Sequence, residues 1–490
     1  IDPFTMVIFG GTGDLSKRKL LTTLYHICLE GDLPDEFSIL AFASSAMSDE
    51  GYREIIKKAI QDFGEKTFNE KCWDEFSRHL FYISGDFEDE NSYRRLSKRL
   101  EEITKITGKG TREVIFYMAV SPYYSPVIIE RLSVCDLCKG MFNTRVIIEK
   151  PFGRDKASAV ELNRIIARAF DEKQVYRIDH YLGKETVQNI IFFRFVNSIF
   201  EPLWNRRYID HVQITVAEDI GVENRARFYE KAGVVRDIVQ NHMLQLLSLV
   251  AMEPPIGFEA DFIRDEKVKV FRTIRSMDEA YIDRFTVCGQ YGPGKINNKD
   301  VPGYREEKNV SPDSNTPTFM AARLYLDNWR WANVPFYLRA GKRMGKRITE
   351  ISIHFKQPPL RLFSSSCDVI EPNLLVLGIQ PHEEISLRFG VKYPGAGNQI
   401  YHVNMDFSYE RTFKTTAHPA YERLLIDCMK GDLTLFARQD EVEAMWSVVD
   451  PIINRWENKQ TLDFPDYAAG TWGPEKAEDM MRNEGRRWQT

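Results

Sequence analysis

Cysteine is scarce in this chain. Seven residues in 490, Cys28, Cys72, Cys135, Cys138, Cys288, Cys367 and Cys428, are too few and too scattered for a disulfide-stapled scaffold. They fit reduced thiols in a cytoplasm-like compartment. Cys135-Asp136-Leu137-Cys138 is a CxxC, but a second pair at zinc spacing is missing and no histidine lies nearby in sequence, so the bland reading is a pair of structural thiols. Long apolar runs are missing too. Met243–Met252 falls well short of the ~18 residues a membrane helix needs. No sign of charge dominates: 66 basic against 71 acidic residues leave −5, which excludes a general pull toward nucleic acid. Internal repeats and low-complexity tracts are absent. No signal-peptide pattern opens the chain.

What is present is the stuff of an ordinary soluble globular protein: 43% hydrophobic, 28% charged and 12% aromatic, enough to bury a large core over two to four domains. Residues 1–5 have no strand pattern and read as an expression scar. Met6–Phe9 is a short apolar run ending in Gly10-Gly11-Thr12-Gly13, and a helical pattern begins at Asp14. Strand, glycine turn and helix together open a dinucleotide-binding βαβ unit. Ser38–Ala43 follows as a strand. Ser48 then caps a helix to about Phe63 with Asp49 and Glu50 in its first turn. His79–Ile83, Val114–Val120 and Arg145–Glu149 read as further strands, with a charged helix at Asn91–Ile106. The alternation predicts a mostly parallel, Rossmann-like sheet covered on both faces, over residues 6–178.

The texture then changes. Val212–Ala217, Arg284–Gln290, Thr349–Phe355, Leu374–Ile379 and Ile385–Phe389 read as strands without regular intervening helices. Arg236–Met252 reads as a buried helix, and Tyr291–Pro317 as a long loop rich in Gly, Pro and Asn. Residues 179–490 are therefore expected to form a larger α+β domain with a mainly antiparallel sheet.

Five segments and one single position, Ser44, concentrate chemistry. In Gly10-Gly11-Thr12-Gly13-Asp14-Leu15, glycines let the backbone turn tightly against a pyrophosphate at a helix N-terminus. Ser44 follows the second strand, where an acid would select NAD and an arginine NADP; serine does neither. Glu149-Lys150-Pro151-Phe152-Gly153 ends a strand, so Lys150 is placed for a cofactor or a substrate. In Arg177-Ile178-Asp179-His180-Tyr181-Leu182-Gly183-Lys184-Glu185, His180, Tyr181 and Lys184 can donate to a phosphate, and Asp179 can orient a histidine. Asp237 and Asn241 share a helix face, with His242 one position on. That histidine is a hydrogen-bonded core residue or a general base. Leu338–Arg347 carries five cations and two glycines: an anion site or an exposed basic turn.

The ordered set GGTGDL, EKPFG, RIDHYLGKE, RDIVQNHMLQLL and FYLRAGKRMGKR resembles the glucose-6-phosphate dehydrogenase family over nearly the whole chain, from Gly10 to Gly470–Pro474. The resemblance implies oxidation of D-glucose 6-phosphate at C1 to 6-phospho-D-glucono-1,5-lactone, with hydride passing to NADP or NAD. That is the first step of the oxidative pentose phosphate pathway. It implies His242 as the base, Asp179 as its partner, and His180, Tyr181 and Lys184 at the sugar phosphate. Glu218 and Asp237 would accept from sugar hydroxyls, Lys150 would lie between nicotinamide and substrate, Lys342 and Arg347 would close the sugar site with Gln380 adjacent, and Lys19 would lie near the active site. Ser44 stands where many members have the arginine that grips the 2′-phosphate. A metal is not implied. A cytoplasmic homodimer or homotetramer is. Two other readings remain: an NAD-linked dehydrogenase of an unphosphorylated sugar, and a non-catalytic sugar-phosphate or nucleotide sensor.

Overall fold

The structure, a computed structural model, describes residues 1–106, 113–139, 142–360, 371–395, 399–414, 419–459 and 463–489. Cys367 lies outside them. The chain divides into two compact units. One comprises residues 1–183, 257–264 and 418–443; the other comprises 184–256, 265–417 and 444–490.

The first unit is built on six parallel strands: β1 (Phe4–Phe9), β2 (Phe37–Ala43), β3 (Leu80–Ser84), β4 (Glu113–Met118), β5 (Asn143–Ile148) and β6 (Val175–Arg177). Their order is β3-β2-β1-β4-β5-β6, that of a doubly wound dinucleotide-binding sheet, with Val7 registered between Leu40 and Phe116. Every residue of β1 and β2 is buried, as strands covered on both faces require. β1 starts two residues earlier than the sequence suggests. Phe4 and Thr5 pair with Phe37 and Ser38 and are buried, because Phe4 packs on Phe37 with ring centroids 6.3 Å apart. The helix Asp49–Phe63 is capped as expected, the Ser48 side chain accepting from the Gly51 N–H at 3.2 Å. Cys135 and Cys138 are free thiols, and burial pushes Cys138 up to about 12, far from a reactive thiolate.

The second unit carries an eight-stranded sheet. Its members are β7 (Ile209–Ala217), β8 (Thr286–Gly289), β12 (Phe319–Tyr325), β13 (Pro335–Gly341), β14 (Ile348–Phe355), β15 (Leu374–Gln380), β16 (Glu384–Lys392) and β17 (Ile400–Ser408), with β9 (Tyr291–Gly292), β10 (Gly294–Ile296) and β11 (Lys299–Val301) between β8 and β12. The order is β17-β16-β15-β14-β7-β13-β12-β8, and every pair is antiparallel except β7 with β13.

Three expectations need correction here. Helices do intervene between β7 and β8, at Ala226–Val234, Val235–Met243, Leu244–Ala251, Ala260–Thr273 and Glu279–Phe285. Arg284 and Phe285 belong to the last of these, not to a strand, because Asp278 caps it by accepting from the Tyr281 N–H at 2.7 Å. The segment Tyr291–Pro317 is not one loop. Asn297 and Asn298, both at positive φ, turn a β10–β11 hairpin, while β9 pairs in parallel with β18 (Tyr467–Ala468). The strands β12, β13 and β17 are not assigned in the sequence; Arg323 and Arg339 interrupt the apolar runs of β12 and β13, and β17 mixes His402, Asn404 and Asp406 with its apolar residues.

Candidate active site

The glycine turn follows β1 at the carboxyl end of the first sheet. The Gly10 and Gly11 N–H groups both donate to the Phe42 carbonyl, at 2.8 and 3.3 Å, and Gly13 N–H donates back to Gly10 at 2.8 Å. The Ser16 hydroxyl also donates to the Gly10 carbonyl, at 2.9 Å. Gly10 has φ +82°, and a Cβ there would sit 2.4 Å from the Ala119 carbonyl oxygen; a Cβ on Gly11 would sit 2.4 Å from the Ala41 Cβ. Both glycines are thus demanded by the approach of β2 and of the segment after β4. Thr12, Asp14 and Leu15 complete the turn, and the chain is helical from Ser16 to Glu30. This close, side-chain-free cradle at a helix start, beside the point where strand order reverses, fits a dinucleotide pyrophosphate. Ser44 is exposed just beyond β2. Lys19 is exposed and reaches Glu65 at 3.5 Å.

Two strands further along the sheet, Glu149 and Lys150 leave β5. The Glu149 carboxylate accepts from the Tyr117 hydroxyl at 2.5 Å and from the Tyr421 hydroxyl at 3.1 Å. Burial raises its pKa, against the pull of those two hydroxyls and of Lys150. The nearby Asp179 carboxylate pushes it in the same direction as burial. Asp179 follows β6, is 3% exposed, and accepts from the Tyr181 N–H at 3.0 Å, so its own turn holds it still. His180 and Tyr181 lie edge to face at 5.2 Å. The first unit therefore gathers Gly10–Leu15, Ser44, Lys150, Asp179, His180 and Tyr181 beyond the carboxyl ends of its strands, where open parallel sheets bind ligands.

In the second unit the sheet register does the gathering. β7 and β13 run parallel with Ala217 opposite Gly341, so Glu218 and Lys342 are the next residues of neighbouring strands. Their ion pair closes at 2.6 Å, with Lys342 buried. β14 runs the other way and starts with Ile348 opposite Ala217, which brings exposed Arg347 to the same edge. Gln380 faces Thr349 there. Lys184 stands at the N-cap of the helix Glu185–Val196.

Asp237 and His242 lie on Val235–Met243, which is a π-helix rather than the expected α-helix. In an α-helix residues five apart point about 140° from one another. The wider i→i+5 turn brings His242 round toward the face of Asp237. Both side chains are buried, and Asp237 is paired to Arg225 at 3.0 Å. The Asn241 side chain accepts from the His242 N–H at 2.7 Å.

Sequence reasoning missed Arg225, Tyr117 and Tyr421. Each pairs with a residue that lies elsewhere in the chain, and none belongs to a recognisable motif; tyrosine at positions 117 and 421 reads as core.

A parallel sheet of this order with a glycine turn after its first strand, followed by a unit that brings acids and bases to one sheet edge, defines the class: a two-unit, Rossmann-type dinucleotide-binding oxidoreductase. Comparison with known proteins narrows the class. The family model described as "Glucose-6-phosphate dehydrogenase, NAD binding domain" matches residues 7–189, and "Glucose-6-phosphate dehydrogenase, C-terminal domain" matches 191–489. The glucose-6-phosphate 1-dehydrogenase of Chlamydia pneumoniae is 46% identical over 99% of this chain and 96% of its own, and that of Rhizobium meliloti (strain 1021) is 45% identical over 100% and 98%. A solved glucose-6-phosphate dehydrogenase in complex with its substrate glucose-6-phosphate superposes with a TM-score of 0.91 at 33% identity, covering 100% of this chain and 99% of the other. The Mycobacterium avium glucose-6-phosphate 1-dehydrogenase structure gives 0.85 at 36% identity, with 100% and 99% coverage. The chain belongs to the glucose-6-phosphate dehydrogenase family and is an oxidoreductase with an NAD(P)-binding domain. Among the described residues no helix is long and apolar enough to cross a membrane.

Proposed function

We propose that this enzyme oxidises D-glucose 6-phosphate at C1 to 6-phospho-D-glucono-1,5-lactone, the opening step of the oxidative pentose phosphate pathway. The observation that carries this reading is that both halves of the chain match the two domains of one family, end to end, at 42–46% identity to curated glucose-6-phosphate 1-dehydrogenases. NADP or NAD, when bound, accepts the hydride. His242 takes the proton of the C1 hydroxyl, which pushes electron density onto C1 and releases its hydrogen. Asp179 stabilises the imidazolium so formed and holds the ring's tautomer. His180, Tyr181 and Lys184 anchor the sugar phosphate, so that binding energy far from C1 orients the reacting carbon. Glu218 and Asp237 accept from sugar hydroxyls. Lys342, Arg347 and Gln380 border the sugar, and Lys150 and Lys19 stand beside the reacting groups.

Gly10, Gly11, Thr12, Gly13, Asp14 and Leu15 hold the dinucleotide. Ser44 meets the adenine ribose with no charge of its own, which supports use of both NADP and NAD rather than strict selection of one. A homodimer or homotetramer through the large sheet is supported by Tyr401 and Met405 of β17, which are 58% and 62% exposed. Residence in the cytoplasm is supported by the free thiols of Cys28, Cys72, Cys135, Cys138, Cys288 and Cys428, the cysteines among the described residues. The test is absorbance of the reduced nicotinamide with either dinucleotide and with glucose or its 6-phosphate. Turnover only with the 6-phosphate is expected. Equal use of glucose would point to a sugar oxidoreductase without phosphate recognition. Binding without turnover would point to a sensor.

A further inference from the structure

Tyr229 sits on the helix Ala226–Val234 and is 1% exposed. Its ring packs in a core cluster with Tyr291, Tyr304, Phe319 and Tyr467. The Lys342 ammonium lies 5.2 Å from the ring centroid, and Lys342 is the partner of Glu218. Burial pushes the phenol pKa up, and the negative charges of Asp237 and Glu218 act in the same direction.

The tyrosines of the cluster are otherwise satisfied. The Tyr304 hydroxyl donates to Glu230 at 2.5 Å, that of Tyr291 to Glu307 at 3.0 Å, and that of Tyr467 to the Lys342 carbonyl at 2.9 Å. The Tyr229 hydroxyl alone of these has no hydrogen-bond partner among the described residues. A buried hydroxyl without a partner costs stability that phenylalanine would spare, and folded interiors rarely keep one without a use. Beside the ring lie Lys342 and, through its ion pair, Glu218, both assigned above to the sugar, and the helix that carries Tyr229 leads into the one that carries Asp237.

We infer that Tyr229 is a further sugar-contacting residue, its hydroxyl hydrogen-bonding a ring hydroxyl of the bound hexose beside Glu218, Asp237 and Lys342. This rests on the proposed sugar site. The phenol has no partner among the described residues, and the substrate supplies one.

The experiment is Tyr229→Phe, measured for thermal unfolding without ligand and for steady-state kinetics. The unfolding temperature is expected to stay level or rise. KM for glucose 6-phosphate is expected to rise about 2- to 12-fold, the worth of one neutral hydrogen bond, with kcat within about twofold. The 2-, 3- and 4-deoxy analogues of glucose 6-phosphate identify the contacted hydroxyl: the analogue lacking it should be used equally well by both enzymes. An unchanged KM overturns the inference, as does a KM penalty that persists equally with all three analogues, which marks a packing effect. A wild-type enzyme inert toward glucose 6-phosphate would instead overturn the reading on which the inference rests.

Discussion

Replacing Gly11 by alanine tests whether the glycine turn is a cofactor cradle or only a bend. The new Cβ would lie 2.4 Å from the Ala41 Cβ and 3.0 Å from the Ala41 Cα, where carbon atoms normally meet at about 3.5–4.0 Å. The turn must therefore retreat by about 1 Å. Ala41 cannot yield instead, because it is buried in mid-strand with Leu40 and Phe42 registered to β1 and β3. Overpacking of this kind costs ~1–3 kcal/mol. The retreat also strains the bonds that fix the turn, from Gly11 N–H to Phe42 and from the Tyr52 hydroxyl to the Gly11 carbonyl, 3.3 and 3.2 Å. If the same turn holds the pyrophosphate, dinucleotide affinity falls by about 5- to 150-fold. Fluorescence titration of NADPH and NADH reads the affinity, and thermal unfolding with and without dinucleotide reads the stability. Gly51→Ala is the control. Its Cβ would meet nothing closer than the Ser48 Oγ at 3.7 Å, so it should gain ~0.5–1 kcal/mol of helix stability and leave affinity alone. Wild-type affinity and unfolding temperature in Gly11→Ala would refute the argument from the turn's close approach.

Three further outcomes are expected. His242→Asn should lower kcat by about 10²–10⁴ while KM for glucose 6-phosphate stays near its original value; near-normal turnover would take the proton transfer away from His242. Ser44→Arg should raise the NADP/NAD ratio of kcat/KM by about tenfold or more, through a charge-assisted bond to the 2′-phosphate, and a fixed ratio would show that this position does not read the ribose. Asp427 is buried beside Arg423, at 3.0 Å, and burial pushes its carboxyl up to about 6 against that arginine's pull. The folded chain then holds a proton that the unfolded chain releases between about pH 4 and 6, so stability falls as pH rises through that window, by up to about 3 kcal/mol. Asp427→Asn should raise the unfolding temperature at pH 8 but not at pH 4; an equal change at both would remove the carboxyl from the explanation.

Much of the first unit was legible because its signals are local. The runs around Val7 and Leu40 are almost wholly apolar, as buried parallel strands must be, and each is followed within a few residues by a glycine turn or a helix cap whose job is set by near neighbours. The second unit hid its strands where function and packing overlap. In β13, Arg339 is fully buried yet charged, its guanidinium lying 4.7 Å from the ring of Trp472 and 4.5 Å from that of Trp488. A basic residue in a basic run gives no hint of that sandwich, since both tryptophans lie more than a hundred residues downstream. The π-turn at Val235–Met243 was hidden for a different reason. The segment is only 9 residues long, too short for its residue pattern to separate one helical pitch from another.

Residue identity alone therefore settled the architecture class, the glycine turn and the family, since turn chemistry, strand alternation and an ordered set of motifs are properties of short stretches of chain. Tertiary structure decided which side chains face one another. Parallel register set Lys342 against Glu218, Asp237 met the Arg225 guanidinium, and two tyrosines from distant elements clasped Glu149. Contacts of that kind depend on distances of a few ångströms between segments that chain order leaves free, and only the packing of the core fixes them.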